Sequence, residues 1–359
     1  MNPDLLDLTL HARRLVVLAT GGTIAGLADK PDAQVSGQGA GGAYKAAQLS
    51  VQQLLAHSAI AQQSVYQELV GGGVALELEQ VAQVDSKDIT ESIWLALAQR
   101  VAHHVQRPEV LGVVVTHGTD TLEETAVFLQ RLLAPQKPVV LTAAMRPSDD
   151  LMADGPQNLV DAMVVAASGL RGVLLVMNGK VWGGAEVRKW HPWQLDAFMG
   201  AAAGPVASVH QGQLSVFRPY GGFADKFWAQ FDADASGWAK PLGLGVLPDV
   251  VENWPWVEVV ASHAASSARA LQCLVQAGVD GVILSATGNG TLHQCLVQAV
   301  REHMARGRLS LGQVLVATRC SGGGIVGQPS HGLPTAGYLT PAQARVMLML
   351  NLLQQCRLN

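Results

Sequence analysis

The chain has 359 residues, of which 49% are apolar and 14% charged, with 38 glycines and a net charge of −4. That length is too great for one compact core and predicts two domains. The charge gives no reason to expect nucleic acid as a partner, and the low charged fraction points to a homo-oligomer whose contacts cover much of the surface.

The segment Met1-Asn-Pro-Asp-Leu-Leu-Asp lacks a basic region followed by a long apolar run, so no signal peptide is expected. No apolar stretch approaches membrane-spanning length. The expectation is a cytoplasmic protein without membrane contact. Residues 15–19 form an apolar strand run that breaks into Thr20-Gly21-Gly22-Thr23. Residues 30–44 are glycine-rich and predict a long mobile loop. Residues 48–57 have helical spacing, and residues 76–84 alternate like a strand. Asp88 or Thr90 is placed to cap a helix reaching about residue 106. A buried strand at 110–115 is followed by a helix at 121–133. A strand at 138–143, a helix at 158–168 and a strand at 172–177 continue the alternation. This βα pattern predicts a mainly parallel sheet covered on both faces.

From about 217 to 255 the pattern weakens among prolines, glycines and the tryptophans Trp228, Trp238 and Trp254, as in an interdomain linker. Beyond it, strands are expected at 257–260, 281–284 and 313–317. Helices are expected at 264–277, at 292–304 and at 340–355, the last opened by Pro341. The predicted fold class is α/β. A larger N-terminal, mostly parallel-sheet domain spans 1–218, a linker 219–255, and a smaller C-terminal α/β domain 256–359.

Cys273, Cys295, Cys320 and Cys356 form no CxxC pair and are expected to be buried free thiols. His103 and His104 are adjacent on a helix and face different directions, so they make no metal pair, and HExxH is absent. Gly37-Gln-Gly39-Ala-Gly-Gly42 fits G-x-G-x-x-G by letter but follows no strand and opens no helix. No metal or cofactor is expected.

Polar residues after a buried strand lie at its carboxyl edge, where open α/β sheets bind ligands. Two segments place threonine there: Thr20-Gly21-Gly22-Thr23 and Thr116-His117-Gly118-Thr119-Asp120-Thr121. Glycines let a substrate approach the backbone and leave N–H groups for a developing oxyanion. A threonine hydroxyl becomes a nucleophile only when a neighbour removes its proton. Tight turns with capping threonines would also explain both segments. Asp120 suits either a substrate ammonium or a lysine. Ala144-Met-Arg146-Pro147-Ser148 and Ala153-Asp154-Gly155-Pro156 look like a rigid supporting turn.

These segments, with Thr287-Gly-Asn-Gly290, resemble the signatures of the bacterial-type L-asparaginases, a family of threonine amidohydrolases that includes glutaminase-asparaginases. The resemblance runs from about residue 14 to residue 355. It implies Thr23 as the nucleophile that forms an acyl-enzyme and Tyr44 as a lid-loop residue. It implies a cluster of Thr119, Asp120 and Lys189, with Asp120 also holding the substrate ammonium. Ser86 would bind the α-carboxylate, Asn289 would come from a neighbouring subunit, and Gly22, Lys87 and Gly118 would line the substrate. The implied substrate is a small amide. Two departures bear on it: Lys87 stands where the family has glutamine or glutamate, and no Asp or Glu follows Glu302. Both remove negative charge from the ammonium side. They predict weakened recognition of a free α-amino group, with glutamine, succinamate-like or N-acylated amides as alternatives. A non-catalytic amino-acid-binding protein on the same scaffold is the competing expectation.

Overall fold

The computed structural model describes residues 13–28, 44–200, 204–220 and 241–358. The tryptophans at 228 and 238, the G-x-G-x-x-G letters and most of the expected lid loop lie outside these residues. Strand β1 (Arg14–Gly21) is followed by the two-residue strands β2 (Leu27–Ala28) and β3 (Tyr44–Lys45), which pair antiparallel. Short helices α1 (Val51–Leu55), α2 (Ser58–Ala61) and α3 (Ser64–Gly71) lead to β4 (Ala75–Val84). Then come α4 (Glu91–Gln106), β5 (Val110–Thr116), α5 (Leu122–Leu133), β6 (Pro138–Thr142), α6 (Gly155–Ala166) and β7 (Gly172–Met177). Strands β8 (Lys180–Gly183), β9 (Val187–Lys189), β10 (Phe198–Gly200), β11 (Ala207–His210) and β12 (Gln213–Val216) follow without a helix between them.

One eight-stranded sheet has the order β12-β11-β8-β7-β6-β5-β1-β4. The five strands from β7 to β4 in that order pair parallel, whereas β8, β11 and β12 extend the sheet antiparallel. The antiparallel end was not anticipated. Asn178-Gly179 turns the chain back after β7 with both residues at positive φ, which is the chemistry of a tight hairpin. Within β1, Val16 and Leu18 enter one core with Trp94, Leu97 and Phe128. Leu15 and Val17 enter the other, with Leu54, Leu159 and Met163. Both faces of the parallel strands are therefore covered, and the apolar runs follow from that burial.

A second, parallel sheet has the order β13 (Val257–Ala261), β14 (Gly281–Ala286), β15 (Val314–Thr318). Helices α7 (Arg269–Gln276) and α8 (Gln294–Ala305) pack on it. The final helix α9 (Pro341–Leu358) buries Ala344, Val346, Met347 and Leu350 completely. It lies between this small sheet and α5 of the large one, in the same core as Phe128 and Trp94. Trp254, in the expected linker, packs at 6.0 Å from Phe128, so this part of the connection belongs to the shared core.

One expectation fails. The cysteines are free, but Cys273, Cys320 and Cys356 are exposed and Cys295 is half-buried. Cys273 lies on α7, a helix whose one buried residue is Leu271. Cys320 follows β15 into an exposed loop, and Cys356 lies in the last turns of α9.

Candidate active site

In the large sheet β1 lies between β4 and β5, and all three run parallel. Their carboxyl ends, at Gly21, Val84 and Thr116, therefore meet at one edge. The contact there is backbone to backbone. A Cβ on Gly22, which has φ +83°, would stand 2.4 Å from the Gly118 nitrogen and 2.5 Å from its Cα. A Cβ on Gly118 would stand 2.5 Å from Ser86 Oγ. No side chain fits at either position, so the three segments close on one another only because both residues are glycine. The Thr20 hydroxyl donates to the Thr116 carbonyl at 2.9 Å, and the Gly22 N–H donates to the Val84 carbonyl at 3.0 Å.

Each of these glycines is followed by a buried threonine. Thr23 opens a 3₁₀ turn, Thr23–Ala25, and is 6% exposed. Thr119 is equally buried. Lys189, at the end of β9, donates from Nζ to Thr119 Oγ1 at 2.9 Å and to Asp120 Oδ1 at 2.6 Å. Asp120 is half-exposed, and its Oδ2 has no partner among the described residues. Ser86 is buried; its hydroxyl accepts from the Asp120 N–H at 3.3 Å, and its carbonyl accepts from the Thr121 hydroxyl at 2.7 Å. Gly22, Thr23, Ser86, Gly118, Thr119, Asp120 and Lys189 thus share one sheet edge.

Tyr44 begins β3, opposite Ala28. Two predicted residues stand apart. Lys87 turns outward, 62% exposed, with its ammonium 2.9 Å from Asp85 and 2.8 Å from Asp88. Those carboxylates raise its pKa above the ordinary lysine value. Asn289 is engaged in its own chain: Nδ2 donates to the Val326 carbonyl at 2.9 Å and Oδ1 accepts from the Val326 N–H at 2.8 Å.

Several supporting residues carry no sequence signal beyond their place in or near a signature. His117 is completely buried. The Trp94 indole N–H donates to Thr125 Oγ1 at 2.9 Å. His117 Nδ1 faces the Gly118 carbonyl at 2.7 Å and must donate to it. Nε2 of the neutral ring is then the acceptor, and the Thr125 hydroxyl donates to it at 3.0 Å. Burial pushes the imidazole pKa down to about 4, so a neutral ring holds the Gly118 peptide. Glu123 is 9% exposed and links three elements. Oε2 accepts from the Lys189 backbone N–H at 2.6 Å, and Oε1 accepts from the Thr340 hydroxyl at 2.9 Å, at the start of α9. Burial raises its pKa above the usual carboxylate range. Arg188, one residue before Lys189, donates to the carbonyls of Ser321 and Tyr338 at 2.9 and 2.8 Å.

The third segment supports the first. Asp154 caps the Met145 and Arg146 N–H groups and accepts from Asn158 Nδ2 at 3.1 Å. Ser148, on the loop so fixed, donates from Oγ to the Gly26 carbonyl at 2.9 Å. Among the described residues no group of three His, Cys, Asp or Glu side chains is arranged to hold a metal.

Residues 14–220 match the family model "Asparaginase, N-terminal", and residues 256–358 match "Glutaminase/Asparaginase C-terminal domain". The chain is 32% identical over 344 residues to L-asparaginase 2 of Escherichia coli, covering 95% of this chain and 89% of that protein. It is 30% identical to a glutaminase-asparaginase of Pseudomonas fluorescens, covering 94% and 86%. The crystal structure of a probable cytoplasmic L-asparaginase from Campylobacter jejuni superposes with a TM-score of 0.77 at 29% identity, covering 96% of this chain and 99% of that one.

Two outcomes are expected. The His117 ring stays neutral from pH 8 to about pH 5 and titrates near 4, read by NMR of the imidazole; a midpoint near 6.5 would mean the ring is not sealed. Its native pKa lies below the ordinary 6.5, so the unfolded chain protonates first. The stability it contributes is complete above 6.5 and is lost as pH falls toward 4. Replacing Glu123 by alanine leaves the Lys189 N–H and Thr340 hydroxyl without their acceptor. Chemical denaturation should then show a loss of about 1–3 kcal/mol, with kcat reduced about tenfold or more.

Proposed function

The chain belongs to the asparaginase family, and from that membership we propose that it hydrolyses the side-chain amide of L-asparagine to L-aspartate and ammonia through an acyl-enzyme on Thr23. The observation that carries this reading is the Gly22–Gly118 contact, which closes the two segments that each continue into a buried threonine, with Lys189 bonded to Thr119 and Asp120 on one of them.

In this reading Thr23 Oγ attacks the amide carbonyl carbon as its proton leaves. The proton goes either to Tyr44 or through Thr119 to Lys189. Along the second route Lys189 takes the proton as the neutral amine, and the ammonium so formed pairs with Asp120. The C–N bond breaks as the nitrogen takes up a proton and departs as ammonia. Water then attacks the threonine ester, releases the acid and returns the proton to Thr23. Ser86 receives the α-carboxylate, and Asp120 Oδ2 receives the α-ammonium.

A large domain to residue 218 and a small one from 256 would be joined by the intervening connection. A cytoplasmic homotetramer would bring Asn289 to a neighbouring site. The full exposure of Leu151 and the exposed Met152, Trp193 and Val326 support such contacts. No described helix is long and apolar enough to cross a membrane.

Thr23→Ala should reduce ammonia release from L-asparagine to background while binding of L-aspartate persists. Undiminished release would remove Thr23 from the chemistry, and a wild-type protein that binds without turnover would make this a binding protein. Because Lys87 is ion-paired outside the cluster, Lys87→Gln should change kcat/KM for L-asparagine by less than about threefold, well under the tenfold that 1.4 kcal/mol would produce. A large rise would place the lysine inside the pocket and favour the N-acylated or succinamate-like substrates.

A further inference from the structure

The chain builds a second polar recess. A cleft of about 780 Å³ lies between α6, the α2–α3 segment and the turns after β7 and β11. Its lining includes Gln63, Asp154, Gln157, Asp161, Asn178 and His210, and none of Thr23, Thr119, Asp120 or Lys189.

Asp161 is the unusual member. It is 2% exposed, and its Oδ1 accepts from Gln157 Nε2 at 2.8 Å. Its Oδ2 makes no hydrogen bond, and the carboxylate has no ion pair among the described residues. An ionised carboxylate left so is costly and calls for a cation. Burial pushes its pKa up to about 6, so it still carries charge at pH 8. The cleft supplies no lysine or arginine to answer it. His210 is exposed and is the one basic side chain in the lining. Asp154 adds a second negative charge; its own oxygens already accept from Met145, Arg146 and Asn158. The two acids are seven residues apart, about 10 Å along a helix. The side-chain amides of Gln63, Gln157 and Asn178 offer carbonyl acceptors between the elements. A ligand bearing a carboxylate would be repelled by both acids.

We propose that this cleft binds a short aliphatic diamine, with one ammonium on Asp161 Oδ2 and the other drawn toward Asp154. The charges then balance, two against two. The neutral amide acceptors take the remaining N–H donors, and the methylene chain bridges the gap. Asp154 and Asn158 also fix the Met145–Arg146 backbone beside the Thr23 turn, so the cleft and the threonine site share a wall.

The test is calorimetric titration of the full-length protein with putrescine at pH 8 and constant ionic strength. One saturable site per chain is expected, retained in Thr23→Ala, so that it stands or falls apart from amide hydrolysis. Asp161→Asn keeps the side-chain shape and removes the buried charge; it should weaken binding at least tenfold. Should that variant fail to fold, the wild type alone decides. Asp161, Asp154 and His210 are the titratable groups of the lining; Asp161, held near 6 by burial, gains a proton as pH falls, so affinity should drop at least tenfold between pH 8 and pH 5. Absence of a saturable heat overturns the proposal, as does a Kd unchanged in Asp161→Asn or unchanged by pH. Binding of ammonium chloride as tight as that of putrescine would equally overturn it.

Discussion

The close approach of the Gly22 and Gly118 backbones is the constraint on which the site depends. Adjacent parallel strands bring their carboxyl ends within reach of each other, but side chains at those ends normally hold the following loops apart. Here a Cβ on either residue would stand about 2.5 Å from a neighbouring heavy atom, far inside van der Waals contact. The loops can therefore lie against one another, and the next residue in each is a threonine. The buried network from Trp94 through Thr125 to His117 fixes the Gly118 peptide from behind. It is built from neutral groups and so holds its shape without a desolvated charge.

The lysine reaches this edge from a different part of the chain, on a three-residue strand outside the large sheet. Such a strand has little intrinsic stability. It is held instead by its surroundings: Glu123 on the Lys189 N–H, Gln343 on the Val187 carbonyl at 2.6 Å, and Arg188 on the loops before α9. Glu123 and Gln343 lie on the two helices, α5 and α9, that pack the large and small sheets together. Hence the small sheet does more than enlarge the core. By docking α9 it fixes the strand that carries Lys189, and displacement at that junction would move the ammonium relative to Thr119.

Much of this was legible in sequence because strands buried on both faces leave continuous apolar runs. The run in β1 and those in β5, β6 and β7 marked four of the five parallel strands with their carboxyl ends. The two glycine-threonine segments stood out because they interrupt such runs. Strands β8 to β12 were missed because they are short, and only the tight turn at Asn178-Gly179 hints that the direction reverses. The start of α6 at Gly155 was placed too late, since Gly155-Pro156 resembles a turn until Asp154 is seen capping the loop before it. The link from Glu123 to Lys189 spans 66 residues and that to Thr340 spans 217. Partners so distant leave no local periodicity. Glu123 looks in sequence like an ordinary acid in the first turn of a helix, where the dipole alone would justify it.

The charge around the ammonium side follows from where Lys87 points. In sequence it appears to reverse the sign of a substrate-facing position. In space it lies between two carboxylates at 2.9 and 2.8 Å. The group of Asp85, Lys87 and Asp88 therefore sums to minus one, and its ammonium is largely solvated. A solvated, neutralised charge acts through a high dielectric and is screened within about 10 Å, whereas Asp120 adjoins the buried threonine and engages Lys189 directly. Asp120 is itself half-exposed and pairs with Lys189, so the proposed contact with an α-ammonium would rest on the one carboxylate oxygen that makes no hydrogen bond.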